Sequence, residues 1–213
     1  MRFGRALSLA ALAAVLPACG DGGGSEPQGR FVLFTENFAD PALNQVWIQL
    51  GAGTVQFDSV NGTPPPSLSV GPPLGPTAAN IRLTTDARFI ATNSLSIAMD
   101  LLLNSFPTPL GSGTAGFTVF DPDFPNVQAT VLYDVATFSI QFSIGIVEGP
   151  KILDVGGFHH IEFSVSSTGT ASWKIDGVTQ QVVTGFHAVN LTLTLRNESD
   201  SIFNFDSVII TSP

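Results

Sequence analysis

Apolar and polar residues alternate with a two-residue period from Gly156 to Val183, and this segment constrains the fold more than any other part of the chain. The apolar positions of its first two runs are Ile161, Phe163, Val165, Ala171, Trp173 and Ile175. Such a period predicts strands with one buried face and one solvated face. Asp176-Gly177 follows and favours a type I′ hairpin, because both turn positions need positive φ. The segment therefore predicts three antiparallel strands in succession.

Short segments of the same kind recur along the rest of the chain, separated by clusters of glycine, proline and asparagine. The further predicted strands are Phe31–Phe38, Val46–Ile48, Thr54–Asp58, Ser67–Val70, Asn80–Thr84, Ser94–Leu103, Thr114–Phe120, Val127–Asp134, Thr137–Ile146, Val189–Arg196 and Ile202–Thr211. Twelve to fourteen short strands without a helical period favour an all-β fold, a two-sheet antiparallel β-sandwich of jelly-roll type. No interior linker divides the chain, so we expect one domain over residues 31–213.

The composition is that of a globular, acidic protein. Apolar residues make up 44% of the 213 residues and charged residues only 12%, and the formal net charge is −9. Two of the eight basic residues, Arg2 and Arg5, lie in a segment that we expect to be removed. Nucleic acid and anionic lipid surfaces both bind through cationic patches. The composition therefore argues against nucleic acid as a partner.

The N-terminus is organised as an export signal. Met1–Arg5 is a short basic region, and Ala6–Leu16 is an apolar run too short to span a bilayer. The next four residues, Leu16-Pro17-Ala18-Cys19, resemble the lipobox of bacterial lipoproteins, with proline as a departure from the usual small residue. The resemblance implies a signal peptide over residues 1–18 and an acylated Cys19 that anchors the protein in a lipid bilayer.

Cys19 is the only cysteine of the chain, and an unpaired thiol in an exported protein is unusual unless it has a function. The alternative is an ordinary secretory signal followed by a free cysteine. Residues 19–30 are glycine-rich and form a predicted flexible tether with a reach of about 15–20 Å. Gly20 lacks the aspartate that retains lipoproteins at the inner membrane, so the resemblance implies the outer membrane of the cell envelope.

Three motifs of the folded part resemble the concanavalin A-like and laminin G-like sandwich domains. They are Phe158-His159-His160-Ile161 followed by Trp173-x-Ile175-Asp176-Gly177, Glu36-Asn37-Phe38 followed by Trp47, and Phe205-Asp206-x-Val208 near the end. The resemblance covers Phe34–Thr211. It implies a jelly roll whose last strand pairs beside its first, with Trp47 in the core, and parity with Ala171 and Ile175 predicts a core position for Trp173 as well.

This superfamily includes glycoside hydrolases, which use two carboxylates about 5 Å apart when they retain configuration. The nearest match to the laminarinase-type signature is Glu198-Ser-Asp200, which lacks the second glutamate and lies in a predicted turn. No predicted strand presents two carboxylates on one face. We therefore expect no catalytic residues and no enzymatic activity, and a polysaccharide hydrolase is the third of three alternatives.

His159 and His160 are adjacent in a predicted strand, so their side chains point to opposite faces. By parity with Ile161, His159 faces the core and His160 faces solvent. A metal site would need both histidines to converge, or each to be joined by ligands from distant parts of the chain. We expect instead that His159 covers the core and forms a hydrogen bond with the backbone.

Calcium is the one cofactor that the resemblance implies, as a structural ion between the first and last strands. Glu36 and Asp206 occupy the corresponding positions, and carbonyl oxygens would complete the six to eight ligands of Ca²⁺. Asp121 and Asp123, in the predicted loop Asp121–Asn126, form a weaker candidate. The alternative is that these carboxylates are simply solvated.

The resemblance also implies a function, a non-catalytic envelope-anchored module that binds a glycan. The alternative is a structural or adhesion protein that binds another protein through a sheet face or an edge strand. The loop aromatics Phe106, Phe124 and Phe186, with Tyr133, Arg82 and Arg88, are candidates for a sugar platform that the sequence does not bring onto one surface. The ligand-binding residues are therefore left unassigned.

Overall fold

A computed structural model describes residues 30–39, 43, 46–62, 65–73, 78–105, 111–154 and 156–213. The predicted signal peptide 1–18, Cys19 and the tether before Arg30 lie outside these residues, so the lipid anchor stays a prediction. Within the described part of the chain there is no helix long and apolar enough to cross a membrane. The strands are β1 Phe31–Glu36, β2 Trp47–Ala52, β3 Thr54–Asp58, β4 Ser67–Gly71, β5 Asn80–Thr85, β6 Phe89–Ile90, β7 Leu95–Ser105, β8 Gly113–Asp121, β9 Phe124–Asp134, β10 Ser139–Ile144, β11 Val147–Leu153, β12 His159–Val165, β13 Thr170–Ile175, β14 Val178–Thr184, β15 Asn190–Ser199 and β16 Ile202–Ser212.

These strands form two antiparallel sheets packed face to face. The first sheet has the order β14-β13-β12-β7-β16-β4-β3, with β1 also paired to β16. The second sheet has the order β11-β10-β9-β8-β15-β5-β2, with β6 also paired to β15. The predicted two-sheet antiparallel sandwich is confirmed, and the last strand pairs beside the first as the resemblance implied.

The core lies between the sheets, and Trp173 of β13 connects them. Its ring centroid lies 4.9 Å from that of Phe163 in its own sheet, and 5.4 and 5.9 Å from those of Phe117 and Phe142 in the opposite sheet. The indole Nε1 donates a hydrogen bond to the carbonyl oxygen of Ser143 at 3.0 Å. The two-residue period predicted this inward position, because Trp173 has the parity of Ala171 and Ile175.

The turn after β13 has the geometry that its sequence favours. Asp176 and Gly177 have φ of 49° and 79°, as a type I′ hairpin requires. Trp47 is buried near Phe34 and Phe38, with ring centroids 6.2 and 6.4 Å apart, which agrees with its predicted core position.

Several boundaries differ from the predictions: β2 extends to Ala52, β7 extends to Ser105, and the short strand β6 was not predicted. β9 begins at Phe124, so the loop predicted over Asp121–Asn126 is only a two-residue turn. The predicted strand Thr137–Ile146 ends at Ile144, and a further strand, β11, runs from Val147 to Leu153. Gly149 and Pro150 argue against a central strand, but β11 lies at a sheet edge, where proline is tolerated. β15 continues to Ser199, so Glu198 lies in a strand and not in the predicted turn.

Candidate functional site

A groove with a volume of about 630 Å³ lies on the outer face of the second sheet. Side chains of β2, β5, β15, β8, β9 and β10 line it, all from positions that alternate with core residues. Ile48 and Leu50 of the edge strand β2 form one end, and they are 45% and 57% exposed. The groove is therefore formed by the outward-facing side chains of six neighbouring strands of the second sheet.

A row of hydroxyl groups crosses the floor of this groove. Consecutive strands place in register five residues, which we call the hydroxyl row: Thr84, Thr194, Thr118, Thr130 and Ser143. Thr84 and Thr194 are linked through their Oγ1 atoms at 2.9 Å, and Thr118 and Thr130 at 3.3 Å. Strands lie about 4.8 Å apart, so the hydroxyls repeat at that interval. Each can donate one hydrogen bond and accept two.

Two arginines lie beside the hydroxyl row and share one carboxylate. Arg82 of β5 pairs in register with Arg196 of β15. The Arg82 Nη2 atom lies 2.8 Å from Oε1 of Glu198, and the Arg196 Nη2 atom lies 2.5 Å from Oε2. Burial raises the pKa of Glu198, but the hydrogen bonds and charges of both arginines outweigh burial and hold the pKa below its usual value. Glu198 is thus an ionised residue that fixes the two guanidinium groups.

Gly116 of β8 lies in register between Arg196 and Leu132. Its φ is 152°, and a Cβ atom there would lie 2.1 Å from the carbonyl oxygen of Val131. Only glycine fits this position. It therefore allows the backbones of β8 and β9 to approach closely at this point of the sheet.

A second cavity of about 450 Å³ lies on the outer face of the first sheet. Serines and threonines line it, together with an ion pair between Lys174 Nζ and Glu162 Oε2 at 3.4 Å. Ser172 of β13 lies on this face, where its hydroxyl contacts that of Ser164. The two outer faces are therefore separate polar surfaces of one sandwich.

The structure places the calcium candidates Glu36 and Asp206 on the paired strands β1 and β16. Glu36 lies opposite Val208, and its Oε1 accepts a hydrogen bond from the N–H of Phe38 at 3.0 Å. Asp206 is buried opposite Asp100 of β7, and its Oδ1 accepts from the N–H of Ser207 at 2.7 Å. The described residues contain no group of three His, Cys, Asp or Glu that could hold a metal ion. A calcium site at Glu36 and Asp206 stays a prediction.

Asp121 and Asp123 are held by local contacts. Asp121 is fully buried, and its Oδ2 accepts hydrogen bonds from the N–H groups of Val189 and Asn190 at 2.8 and 3.2 Å. Asp123 forms an ion pair with Arg88 at 3.0 Å. Asp121 thus joins the β8–β9 turn to the start of β15, and calcium binding by this pair also stays a prediction.

His159 faces the interior and His160 faces solvent, as parity predicted. The expected backbone partner of His159 is replaced by two carboxylates: Nε2 lies 2.7 Å from Asp154 Oδ1, and Nδ1 lies 2.9 Å from Asp176 Oδ2. The hydroxyl of Tyr133 donates to the other oxygen of Asp154 at 2.7 Å. Burial, and then the hydrogen bond to Asp154, raise the pKa of Tyr133. On the outer face, His160 Nδ1 lies 2.6 Å from Asp100 Oδ1.

The candidate sugar aromatics do not share one surface. Tyr133 and Phe186 are buried, and Phe124 is exposed at the start of β9. Phe106 lies outside the described residues. Arg82 is the one candidate from this set that lines the groove. The threonines of the hydroxyl row were visible as polar positions in predicted strands, but their alignment depends on strand register.

No protein-family model matches the chain, and no curated protein matches it in sequence. Among solved structures, an endo-1,3-β-glucanase from Streptomyces sioyaensis is 16% identical with a TM-score of 0.65, over 90% of this chain and all of that one. The cellulose-induced protein Cip1 is 14% identical with a TM-score of 0.63, over 84% and 97% of the two chains. The carbohydrate-binding module CBM66 from Bacillus subtilis is 11% identical with a TM-score of 0.52, over 78% and 96%. At these identities the similarity shows the fold alone, a β-sandwich jelly roll of the kind found in glucanases and carbohydrate-binding modules.

Proposed function

We propose that this protein is a non-catalytic glycan-binding module that holds a polysaccharide in the groove on the second sheet. The observation that carries the proposal is the hydroxyl row, which presents regularly spaced donors and acceptors along an open floor. The guanidinium groups of Arg82 and Arg196 add fixed donors at its side. Similarity of fold to a carbohydrate-binding module and to a glucanase supports the same class of ligand by analogy.

The carboxylates near the groove support binding and not hydrolysis. Of the described residues that line the groove, none is Asp or Glu. Glu198 lies next to it, but its low pKa and its two arginine partners oppose the role of a general acid, which needs a raised pKa. Asp200 is engaged by the backbone N–H of Ser112 at 2.7 Å.

The cellular setting of the proposed function follows from the N-terminal motif. A protein acylated at Cys19 would be exported and held at the cell envelope, with the outer membrane as the expected location. The glycine-rich tether would keep the sandwich close to the bilayer surface. A polysaccharide of the envelope or its surroundings is then within reach of the groove.

The edge strand β2 favours one second candidate, a protein partner that adds a strand to the second sheet. Within the described residues β2 pairs only with β5, and its exposed Ile48 and Leu50 give this edge apolar side chains. Exposed edge strands are templates for pairing with another chain. We expect Gln49→Pro to block the addition of a partner strand, because proline has no N–H group to donate to it. The same substitution should leave glycan binding unchanged.

Filling the groove tests the glycan proposal. We expect Thr118→Trp to reduce binding to the polysaccharides that the wild-type protein recognises on a glycan array by at least tenfold, because the indole would cover the middle of the hydroxyl row. Ser172→Trp is the matched control on the opposite outer face and should bind as the wild type does. Loss of binding in Ser172→Trp alone would move the site to the first sheet, and no bound glycan for the folded wild-type protein would refute the proposal.

Calcium is proposed as a structural ion at Asp206 and Glu36. Asp206 and Asp100 are carboxylates in register on neighbouring strands, an arrangement that a divalent cation would stabilise. Calcium at 100 times its Kd stabilises a folded protein by about 2.7 kcal/mol, which corresponds to a rise in Tm of roughly 5–10 °C for a chain of this length. We expect this rise by calorimetry, its reversal by chelator and its loss in Asp206→Asn. An unchanged Tm with millimolar Ca²⁺ would refute the site.

A further inference from the structure

The arginine pair belongs to a longer line of side chains across the second sheet. Strand pairing places in register Leu50, Arg82, Arg196, Gly116, Leu132, Gln141 and Lys151, which we call the basic row. It runs parallel to the hydroxyl row, two residues further along each strand. Four strand intervals separate Arg196 from Lys151, or about 19 Å. Two cations, Arg82 and Arg196, therefore lie in the groove, and the third, Lys151, lies on the same face at the edge strand β11, beyond the residues that line the groove.

The basic row concentrates the positive charge of an acidic protein. The described residues include six basic ones, and three of them, Arg82, Arg196 and Lys151, are in this row. Of the others, Arg88 is paired with Asp123 and Lys174 with Glu162. Among the described strand residues, Glu198, Asp134 and Glu148 are the acidic ones beside this row and equal its cations in number, while the whole chain carries −9. An anionic ligand is therefore repelled less by this face than by the rest of the acidic protein surface.

The two guanidinium groups are preorganised for a planar anion. Glu198 occupies one edge of each, and 54% of the Arg82 side chain remains exposed on the groove side of the sheet. The Nε atom of Arg196 is buried and has no hydrogen-bond partner among the described residues. Arginine binds carboxylates through paired N–H groups, and a fixed guanidinium loses little side-chain entropy on binding.

Neutral sugars are commonly held by stacking on exposed tryptophan or tyrosine, and this groove offers neither among the described residues that line it. Its lining instead combines guanidinium groups, hydroxyls, aliphatic side chains, the amide of Gln128 and one phenylalanine, Phe120, which has no polar group. Building on the proposed function, we propose that the groove binds a linear polysaccharide with carboxylate groups, a polyuronate, whose carboxylates contact Arg82, Arg196 and Lys151. The distance along the basic row requires several sugar units, so a single uronic acid would bind weakly.

The test compares polygalacturonate, dextran sulfate and the neutral β-1,3-glucan laminarin by isothermal titration with the purified full-length protein. We expect polygalacturonate to bind more tightly than both other polymers. Arg82→Gln and Arg196→Gln should each weaken its binding at least tenfold, and Lys151→Gln about threefold. Arg88→Gln is the matched control, because it removes one positive charge outside the groove, and it should change the affinity less than twofold. Circular dichroism and Tm identify a variant that has lost its fold, and Arg82→Gln at an exposed side chain keeps the test valid if Arg196→Gln unfolds.

The outcomes separate this inference from the proposed function. Laminarin binding that is equal to polygalacturonate binding and is unaffected by the arginine variants would overturn the polyuronate and leave the glycan module standing. Equal binding of dextran sulfate and polygalacturonate, with Arg88→Gln as harmful as Arg82→Gln, would indicate ion exchange and overturn it as well. Absence of binding to any of the three polymers, together with a blank glycan array, would overturn both.

Discussion

Trp173→Ala is expected to destabilise the protein by about 3–5 kcal/mol, the usual cost of truncating a fully buried large aromatic residue. The ring of Trp173 packs against Phe163 of the first sheet and against Phe117 and Phe142 of the second. Its removal would therefore leave a cavity between the two sheets. The substitution also leaves the carbonyl of Ser143 without its indole donor. The free energy of unfolding of a small domain is only about 5–15 kcal/mol, so this substitution would remove a large fraction of it.

Urea unfolding followed by fluorescence or circular dichroism measures this effect. Trp173→Phe keeps an aromatic ring but loses the hydrogen bond, so we expect a smaller loss. Val182→Ala is the matched control in the neighbouring strand β14, since this valine is largely exposed and should matter by less than about 0.5 kcal/mol. A loss below about 1.5 kcal/mol for Trp173→Ala would contradict the view that this residue joins the two sheets.

The position of Trp173 was predictable because strand parity is local information. The two-residue period needs only neighbouring residues, and it located most strands and the buried faces of β12, β13 and β7. It failed for β11, where Gly149 and Pro150 disfavour a strand and only the edge position makes one possible. Whether a strand lies at the edge or in the centre depends on how the whole sheet is assembled, so no local sequence pattern could predict it.

The groove could not be predicted from the sequence, for a different reason. Thr84, Thr118, Thr130 and Thr194 are scattered over 111 residues, and each was visible as a polar strand position. Their alignment depends on the register of three strand pairs, which turn geometry and bulges set. Register errors of a single pair would have broken both the hydroxyl row and the basic row. The candidate site was therefore beyond what single-sequence reasoning could assemble, although its residue types were present.

Asp121 and His159 show that partners are harder to predict than orientation. Asp121 was predicted to be an oxygen ligand in a loop, but its Oδ2 atom accepts hydrogen bonds from backbone N–H groups 68 and 69 residues away. The inward orientation of His159 followed from parity. Its carboxylate partners did not, because Asp154 reaches it from the connection before β12 and Asp176 from the turn between β13 and β14.

His159 provides the second large effect, a stability that depends on pH. Both ring nitrogens lie within hydrogen-bond distance of a carboxylate, so both N–H groups donate in the imidazolium form. Burial lowers the pKa of His159, but the hydrogen bonds to Asp154 and Asp176 outweigh burial and raise the pKa above the usual 6.5. Burial likewise raises the pKa of Asp154, and the hydrogen bonds from His159, Tyr133 and Gly156 outweigh it and lower the pKa below 3.8.

The signs of the two shifts define a pH window of full stability. The contribution of His159 is complete below pH 6.5, the usual pKa of the unfolded chain, and is lost as the pH rises through the higher folded pKa. The contribution of Asp154 is complete above pH 3.8 and is lost as the pH falls through the lower folded pKa. We therefore expect the free energy of unfolding to be greatest between about pH 4 and 6.5 and to decline on either side.

His159→Ala should remove this alkaline decline and cost about 3–5 kcal/mol at pH 6, because it leaves the buried carboxylate of Asp154 without its cationic partner. Urea titrations at pH 4 to 9 measure both effects, and the histidine resonances in NMR give the folded pKa directly. His187→Ala is the matched control, since His187 is exposed and should change stability by less than about 0.5 kcal/mol with the alkaline decline intact. If the alkaline decline persists in His159→Ala at its wild-type size, another group produces it, and the doubly paired imidazolium is not the link between the two turns.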